Sequence, residues 1–130
     1  MKRTQYGVTL MELMIVVAVV AILGAVAFPS YQTHVMESGR AEAWSNLLRM
    51  SEDQERYYIQ NNAYATTAQL GYVATESAPV YTYTVTLGTP ANGFTARATA
   101  VGGQAGDTEC ATITLTNGGV RGGTSGGACW

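Results

Sequence analysis

The sequence predicts an α+β fold in which one long N-terminal helix packs on an antiparallel sheet of about four strands. The first observation is an apolar segment, Val8–Phe28, whose single ionisable side chain is Glu12. The second is an alternation of apolar residues and threonines over Tyr81–Leu87 and of small apolar and polar residues over Phe94–Ala100. This period of two is typical of strands that bury one face. The third is a pair of cysteines near the glycine-rich end of the chain.

The first half of the predicted helix is long enough to cross a membrane. A helix rises ~1.5 Å per residue, so Val8–Phe28 would extend over roughly 30 Å, the thickness of a bilayer's hydrocarbon core. A carboxylate in such a segment costs about 2.5–3.5 kcal/mol on insertion scales, which indicates that Glu12 has a function. Lys2 and Arg3 precede the segment, and the positive-inside tendency then places the N-terminus in the cytoplasm. The apolar stretch of a secretory signal peptide would be shorter, and no small-x-small cleavage site follows this one.

The helical pattern continues beyond the membrane segment. Pro29 has no N–H and its ring opposes the preceding turn, so it predicts a kink and not the end of the helix. Gly39 is a candidate second bend, and the helix is expected to end near Ile59. An apolar stripe at spacings of three, four and seven, with a polar gap near Gln54, predicts a face that packs on the sheet. Its members are Met36, Ala43, Leu47, Met50 and Tyr57, widened by Trp44 and Leu48, and the charged residues Arg40, Glu42, Arg49, Glu52 and Asp53 lie mostly off it.

The segment Asn61–Pro79 is predicted to be a loop because asparagine, glycine and proline recur in it. Its two tyrosines, Tyr64 and Tyr72, are expected to hold the loop on the domain, each with one ring face buried. A short helical turn is predicted around Thr67–Leu70.

The predicted strands follow this loop. Gly88–Gly93 contains the turn residues of a hairpin connection. The alanines that alternate along the second strand favour a sheet lying close against the helix. Ala111–Thr116 predicts a third strand with Ile113 and Leu115 pointing inward, and an Asn-Gly-Gly turn predicts a short fourth strand around Val120.

The two cysteines, Cys110 and Cys129, are few and close enough for a single disulfide, which would place the domain in an oxidising compartment. The alternative is two free buried thiols. A bridge would close a loop of about 20 residues, stabilise the domain by roughly 3 kcal/mol on the loop-entropy estimate, and hold Trp130 against it.

The charge balance excludes some classes of function. After the apolar segment, five basic residues face eight acidic ones, a net charge of −3. This balance disfavours sequence-independent binding of nucleic acid. A local basic patch around Arg97 and Arg121 is the remaining route to such binding.

No arrangement of side chains indicates catalysis, a metal or a cofactor. His34 is the single histidine, so a catalytic triad or a zinc site lacks its components. Asp107 and Glu109 are two acids in a predicted loop, where solvation is a simpler expectation than calcium binding. The glycine-rich segments lack the Gly-Lys-Ser/Thr of a phosphate-binding loop.

Lys2–Gly7 is a short basic leader that ends in glycine, and Val8–Leu13 follows it as Val-Thr-Leu-Met-Glu-Leu. These residues resemble the class III signal of type IV prepilins. The apolar helix and Pro29 then complete the pattern of the family. The single departure is Val8, where the family usually has phenylalanine.

The resemblance implies a processing step and an assembly role. A prepilin peptidase of the membrane would cut between Gly7 and Val8 and N-methylate Val8, and Glu12 would pair with the Val8 ammonium of a neighbouring subunit. Residues 1–7 would then be the leader, residues 8–30 the membrane span, and residues 31–130 a periplasmic or extracellular head. In the family, the segment between two C-terminal cysteines is the exposed, variable D-region, which Cys110 and Cys129 would bound here.

Within the family, the small size and three short motifs are similar to the PilE-type minor pilins. The motifs are Gln54–Tyr58, Asn61–Tyr64 and Ala105–Cys110, the last of these lying ahead of the terminal Cys-Trp. The resemblance implies a structural subunit that helps to initiate pilus assembly for twitching motility and adhesion. Its partners would be other pilins, the prepilin peptidase and the inner-membrane assembly machinery. Its location would be first the inner membrane, with a cytoplasmic N-terminus, and then the extracellular pilus. The alternatives are a DNA-binding minor pilin, a type II secretion pseudopilin and a major pilin.

Overall fold

A computed structural model describes residues 7–72, 80–88 and 92–130. Its elements are helix α1 Leu10–Asn61 and strands β1 Tyr81–Leu87, β2 Phe94–Ala100, β3 Thr112–Thr116 and β4 Arg121–Gly123, with 3₁₀ turns at Gly102–Gly106 and Gly126–Cys129. The chain divides into a first unit that ends at Val35 and a second unit, Met36–Trp130. We call them the stalk unit and the head unit. Three parts of the predictions lie outside the described residues. They are residues 1–6 of the leader, residues 73–79 of the predicted loop and residues 89–91 of the predicted hairpin connection.

The stalk unit consists of the first part of α1. By length and composition α1 could cross a membrane, and its most apolar window has no residue buried within the chain. Pro29 lies inside α1, so the helix does not end there, as predicted. Its missing N–H leaves the carbonyl one turn earlier without its usual helical partner. The Thr33 hydroxyl donates to the Pro29 carbonyl oxygen at 3.2 Å.

In the head unit, the remainder of α1 packs on a four-stranded antiparallel sheet in the order β1-β2-β3-β4. Ala96 of β2 pairs with Val85 of β1 and Leu115 of β3. The predicted number, order and inward faces of the strands are confirmed. The fourth strand, predicted around Val120, is Arg121–Gly123, and Val120 is 65% exposed in the turn before it.

The core lies between one face of α1 and the inner face of the sheet. Its fully buried members include Ala43, Leu47 and Met50 of the helix, opposite Ala96, Ala98 and Ile113 of the sheet. The side chains that alternate with these on β2 and β3 are mainly threonines on the outer face. The small alanines of β2 allow the helix and sheet to approach closely, as expected.

Two details of the predicted helix face are corrected, and the surroundings of Gly39 are added. Gln54, expected as a gap in the stripe, is completely buried. Leu48, expected to widen the stripe, is 45% exposed. Gly39, the candidate second bend, is buried on the packed face, where an added Cβ would overlap the side-chain amide of Gln104.

The helix ends two residues later than predicted, at Asn61. Asn62 then has a φ of 52° and donates its N–H to the Tyr58 carbonyl at 2.8 Å, which closes the helix in the left-handed conformation that asparagine tolerates. Thr67–Leu70 forms a turn, as predicted. The loop is held by its tyrosines: the Tyr64 ring packs on Tyr58 and Phe94 at centroid distances of 4.7 and 4.9 Å.

Candidate assembly site and disulfide-bounded region

The start of α1 is defined by Thr9. Helical structure begins at Leu10 and not at Val8, where it was predicted. The Thr9 hydroxyl oxygen accepts the Glu12 N–H at 3.2 Å, and the Thr9 carbonyl accepts the Leu13 N–H at 3.2 Å. These are the bonds of a helix N-cap, so Gly7, Val8 and Thr9 precede the helix. The sequence contained this signal as Thr-x-x-Glu, the pattern of a capping box, and our prediction overlooked it.

Glu12 is the acidic residue in the first turn of α1, and it is exposed. A carboxylate at this end of a helix is favoured by the helix dipole. The large apolar side chains of Leu10–Phe28 are exposed as well, each between 49% and 78%. They are Leu10, Met11, Leu13, Met14, Ile15, Val16, Val17, Val19, Val20, Ile22, Leu23, Val26 and Phe28. The stalk unit therefore presents a continuous apolar surface with one acid near its start.

The predicted disulfide between Cys110 and Cys129 is formed, with a Cα–Cα distance of 5.7 Å. The segment that contains Cys129 is also bonded to the helix, since the Trp44 indole Nε1 donates to the Cys129 carbonyl at 2.5 Å. The Ser125 hydroxyl donates to the Glu109 carbonyl at 2.6 Å. Because the disulfide is formed, the alternative of two free thiols is wrong.

Trp130 is held on the domain, as predicted. Its indole Nε1 donates to the Gly122 carbonyl at 3.2 Å, and the Arg121 guanidinium carbon lies 5.0 Å from the centroid of its ring. This distance is that of a cation–π contact. Arg121 is thus engaged at the edge of the sheet.

A buried polar cluster joins α1 to the 3₁₀ turn before Cys110. Arg40 donates from Nε and from a terminal nitrogen to the two Asp107 carboxylate oxygens, both at 2.7 Å. The Gln104 amide donates to the Met36 carbonyl at 3.1 Å, to Asp107 at 3.1 Å and to the Tyr81 hydroxyl at 3.3 Å. Asp107 is only 4% exposed, so the expectation of a solvated loop acid is wrong. A bidentate arginine pair of this kind is a strong, geometrically specific contact.

The electrostatics of this cluster follow from its hydrogen bonds. The Arg40 guanidinium, helped by the Cys110 N–H and the Gln104 amide, lowers the pKa of Asp107 below its ordinary value of 3.8. The hydrogen bond to Asp107 raises the pKa of Arg40 above its ordinary value. Burial raises the pKa of Tyr81. The cluster is therefore an ion pair that holds the loop in place.

Gln54 makes a second buried polar contact. Its side-chain amide donates to the Ala65 carbonyl at 2.7 Å and accepts the Ala65 N–H at 2.8 Å. The Tyr72 hydroxyl donates to Asp53 at 3.0 Å, and burial together with that carboxylate raises the pKa of Tyr72 to about 12. These bonds attach the loop that follows α1 to the helix.

The proposed basic patch of Arg97 and Arg121 is not formed. Arg97 is exposed on β2 and pairs across the sheet with Thr84 and Thr114, on the outer face. Arg121 pairs with Leu115, whose side chain points to the core. Side chains directly opposite each other share a face of the sheet, so the two arginines lie on opposite faces. Within residues 7–72, 80–88 and 92–130, no three His, Cys, Asp or Glu side chains are grouped as metal ligands would be.

Two family models match the chain. A model described as the prokaryotic N-terminal methylation motif matches residues 2–28. A model described as type IV minor pilin ComP, DNA uptake sequence receptor, matches residues 29–114.

Individual relatives agree with this. The chain is 38% identical to the fimbrial protein EcpC of Eikenella corrodens over 58% of this chain and 50% of that protein. It is 31% identical to the type II secretion system core protein G of Aeromonas hydrophila over 52% of this chain and 48% of that protein. A fimbrial protein of Neisseria meningitidis serogroup B is 37% identical over 59% of this chain and 45% of that protein. The chain thus spans about half the length, or less, of these relatives.

A solved structure of a type IV pilin from Shewanella oneidensis has the same fold. It superimposes with a TM-score of 0.53 over 66% of this chain and 89% of that one, at 24% identity. The long helix on a four-stranded antiparallel sheet is therefore the fold of a type IV pilin.

Proposed function

The chain belongs to the ComP-type family of type IV minor pilins, and from this premise we propose that it is a structural subunit of a bacterial type IV pilus. It helps to initiate pilus assembly, and so contributes to twitching motility and adhesion. The observation that carries the proposal is the exposed apolar surface of the stalk unit, joined to a head unit that has its own core. This division suits a subunit whose stalk lies in a membrane before assembly and among other stalks afterwards. The proposed role is structural.

The proposal includes processing at the N-terminus. A prepilin peptidase cuts between Gly7 and Val8 on the cytoplasmic side of the inner membrane and methylates the new amine of Val8. Residues 1–7 are removed, residues 8–30 remain as the span, and residues 31–130 form the head outside the inner membrane. Lys2 and Arg3 support this orientation, because the chain has no other lysine or arginine before Arg40.

Glu12 is the assembly residue in this proposal. Cleavage creates an ammonium on Val8, and the Glu12 carboxylate of one subunit pairs with the Val8 ammonium of a neighbour as it enters the filament. In surroundings of low dielectric constant, the pair is much more favourable than either charge alone. The exposure of Glu12 among apolar side chains supports this role, because no base lies near it in the described part of the stalk.

The experiment that tests the assembly role compares Glu12→Ala with Glu42→Ala, which removes an exposed acid of the head. Both variants should enter the inner membrane at wild-type levels. Only Glu12→Ala should be lost from sheared filaments, as measured by immunoblot of pili and membranes. Normal incorporation of Glu12→Ala would remove the role assigned to this acid.

The processing site has its own test. Gly7→Arg puts a bulky charged side chain where the peptidase must approach the backbone closely, so the precursor should stay uncut. Intact-mass analysis of the membrane-bound protein should then give the full precursor mass. A mature mass for this variant would refute the cleavage site.

A second candidate function is DNA binding during uptake, and the matching family model, which is described as a DNA uptake sequence receptor, favours it. The charge distribution argues against strong binding, because Arg97 and Arg121 lie on opposite faces of the sheet. A gel shift with the full chain in detergent at low salt separates the two functions. Salt-sensitive binding that Arg97→Ala weakens would support the DNA function, and absence of binding at low salt would eliminate it.

A pseudopilin role is a third candidate, because one relative is a type II secretion system core protein. Deletion of the gene distinguishes it. Loss of pili with normal protein secretion is expected for a pilin, whereas normal pili with impaired secretion would indicate a pseudopilin.

A further inference from the structure

The boundary between the first residues and α1 lies at one side chain. Gly7, Val8 and Thr9 are outside the helix, and Leu10 is its first residue. The Thr9 hydroxyl accepts the Glu12 N–H, which has no carbonyl partner within the helix because it belongs to the first turn. Thr9 is therefore the N-cap, and the bond between Gly7 and Val8 lies in non-helical backbone just before it.

This boundary would be free to move without the Thr9 oxygen. The apolar residues after Thr9 all permit a helix, and an unpaired N–H in or near a membrane is more costly than in water. One way for the backbone to recover is to start the helix earlier, at Val8 or Gly7, so that the amide of Glu12 finds a carbonyl. Thr9 opposes that shift by bonding this amide itself.

The position of the boundary matters for the proposed cleavage. Hydrolysis adds one water to the Gly7–Val8 amide: the water oxygen bonds to the Gly7 carbonyl carbon as the C–N bond breaks, leaving a carboxylate, and the two water hydrogens pass to the Val8 nitrogen, leaving an ammonium. Proteases bind exposed, extended backbone, since a helical turn occupies the amide groups and surrounds them with side chains. The scissile bond must therefore stay outside α1.

We propose that Thr9 is a positioning residue for processing: its N-cap bond to Glu12 holds Gly7 to Thr9 out of the helix and so presents the Gly7–Val8 bond to the peptidase. The proposal rests on the cleavage proposed above. It assigns to the threonine of the signal a role distinct from that of the acid, because Thr9 acts on the backbone whereas Glu12 acts through its carboxylate after the cut.

The test uses the full-length precursor in membranes with its peptidase, and the variants Thr9→Val, Thr9→Ser and Thr9→Asn. Valine keeps the shape and β-branching of threonine but has no oxygen, whereas serine and asparagine are good N-caps. Thr9→Val should be cut more slowly than the wild type, by at most about fivefold, the factor by which a typical N-cap side chain changes a population ratio. Thr9→Ser and Thr9→Asn should be cut at close to the wild-type rate.

A second readout follows the start of the helix. Hydrogen exchange at the Met11 amide of the uncut precursor should be slower in Thr9→Val, because a helix that starts at Val8 gives this amide the Gly7 carbonyl as a partner, and unchanged in Thr9→Ser. Equal cleavage of Thr9→Val and the wild type would overturn the positioning role, as would cleavage of Thr9→Ser as slow as that of Thr9→Val. A wild-type precursor left uncut at Gly7–Val8 would overturn the proposed processing as well, so the two failures are distinct.

Discussion

The stalk unit and the head unit satisfy their apolar side chains in different ways. In the head, Leu47, Met50 and Ile113 are completely buried. In the stalk, equally large side chains such as Leu13 and Ile22 are more than half exposed. Burying a side chain of this size is worth about 1.5–3 kcal/mol, so the stalk carries a large unused potential for association. Contacts within the chain therefore bury the large apolar side chains of the head and leave those of the stalk exposed.

The polar groups show the same contrast. The head buries Gln54, Gln104 and Asp107, and each of them is hydrogen-bonded. Among the described residues, no buried side-chain nitrogen or oxygen is left without a partner. The stalk has Glu12, whose carboxylate is exposed among apolar side chains. Substitutions in the head should therefore change folding, and those in the stalk should change the proposed assembly.

The largest effect on folding is expected from Arg40→Ala. It leaves the Asp107 carboxylate buried without its bidentate partner, and removal of one member of a buried ion pair typically costs about 3–5 kcal/mol. Both tryptophans, Trp44 and Trp130, belong to the head unit, so urea unfolding of the full chain in detergent, followed by tryptophan fluorescence, reports on the head.

The matched control for Arg40→Ala is Arg56→Ala. Arg56 pairs with Asp53 at 3.0 Å, but its side chain is 70% exposed, so its loss should cost about 0–1 kcal/mol. The pH dependence gives a second check. The pKa of Asp107 is lower in the folded chain, so its contribution to stability is present above the ordinary value of 3.8 and is lost as the pH falls through the folded value. Arg40→Ala should reduce this acid-side loss. Equal effects of the two alanine variants would contradict the burial argument.

The next largest effect is expected from Leu47→Ala. Leu47 is completely buried between α1 and the sheet, and such truncations typically cost about 2–5 kcal/mol, because a cavity remains. Leu48→Ala changes the same residue type one position away, where the side chain is 45% exposed, and should cost about 0.5 kcal/mol or less. The unfolding midpoints of the two variants provide the measurement. Similar midpoints would mean that the face of α1 is assigned wrongly.

A smaller loss is expected from Gln54→Ala. The variant leaves the N–H and the carbonyl of Ala65 without partners, and each unsatisfied buried group costs about 1–3 kcal/mol unless water replaces the side chain. Gln60→Ala, at an exposed position near the end of the same helix, serves as the control and should be close to neutral. Amide exchange at Ala65 should accelerate in Gln54→Ala alone. Unchanged exchange there would show that Gln54 does not hold the loop.

The sequence allowed much of the fold to be predicted, because each main element has a periodic pattern. The strands at Tyr81–Leu87 and Phe94–Ala100 alternate strictly, and the apolar length of the stalk is unmistakable. The disulfide was predictable because two cysteines allow one pairing. The N-terminal motif was predictable because it is a local pattern with few departures.

The buried polar residues were not predictable by the same means. The burial of Gln54, Gln104 and Asp107 depends on hydrogen-bond partners from elsewhere in the chain. Asp107, for example, bonds to Arg40 across 67 positions. Periodicity assigns a polar residue to the surface, since it contains no information about a distant partner. The close approach of Gly39 to Gln104 could not be predicted for the same reason.

The smallest effect is expected from Tyr72→Phe, on the stability of the head at alkaline pH. The pKa of Tyr72 is raised to about 12 by burial and by the hydrogen bond to Asp53, so the unfolded chain releases this proton first as the pH rises. The contribution of Tyr72 is complete below pH 10.0, its ordinary value, and is lost as the pH rises through about 12. Tyr72→Phe should be less stable at neutral pH but should lose less stability between these limits. The control is Tyr31→Phe, 68% exposed in the stalk, which should retain the full alkaline loss of the wild type. Burial also raises the pKa of Tyr64 and Tyr81, so part of the loss should persist in Tyr72→Phe. An alkaline loss identical in Tyr72→Phe and the wild type would show that the loop tyrosine is not coupled to folding of the head.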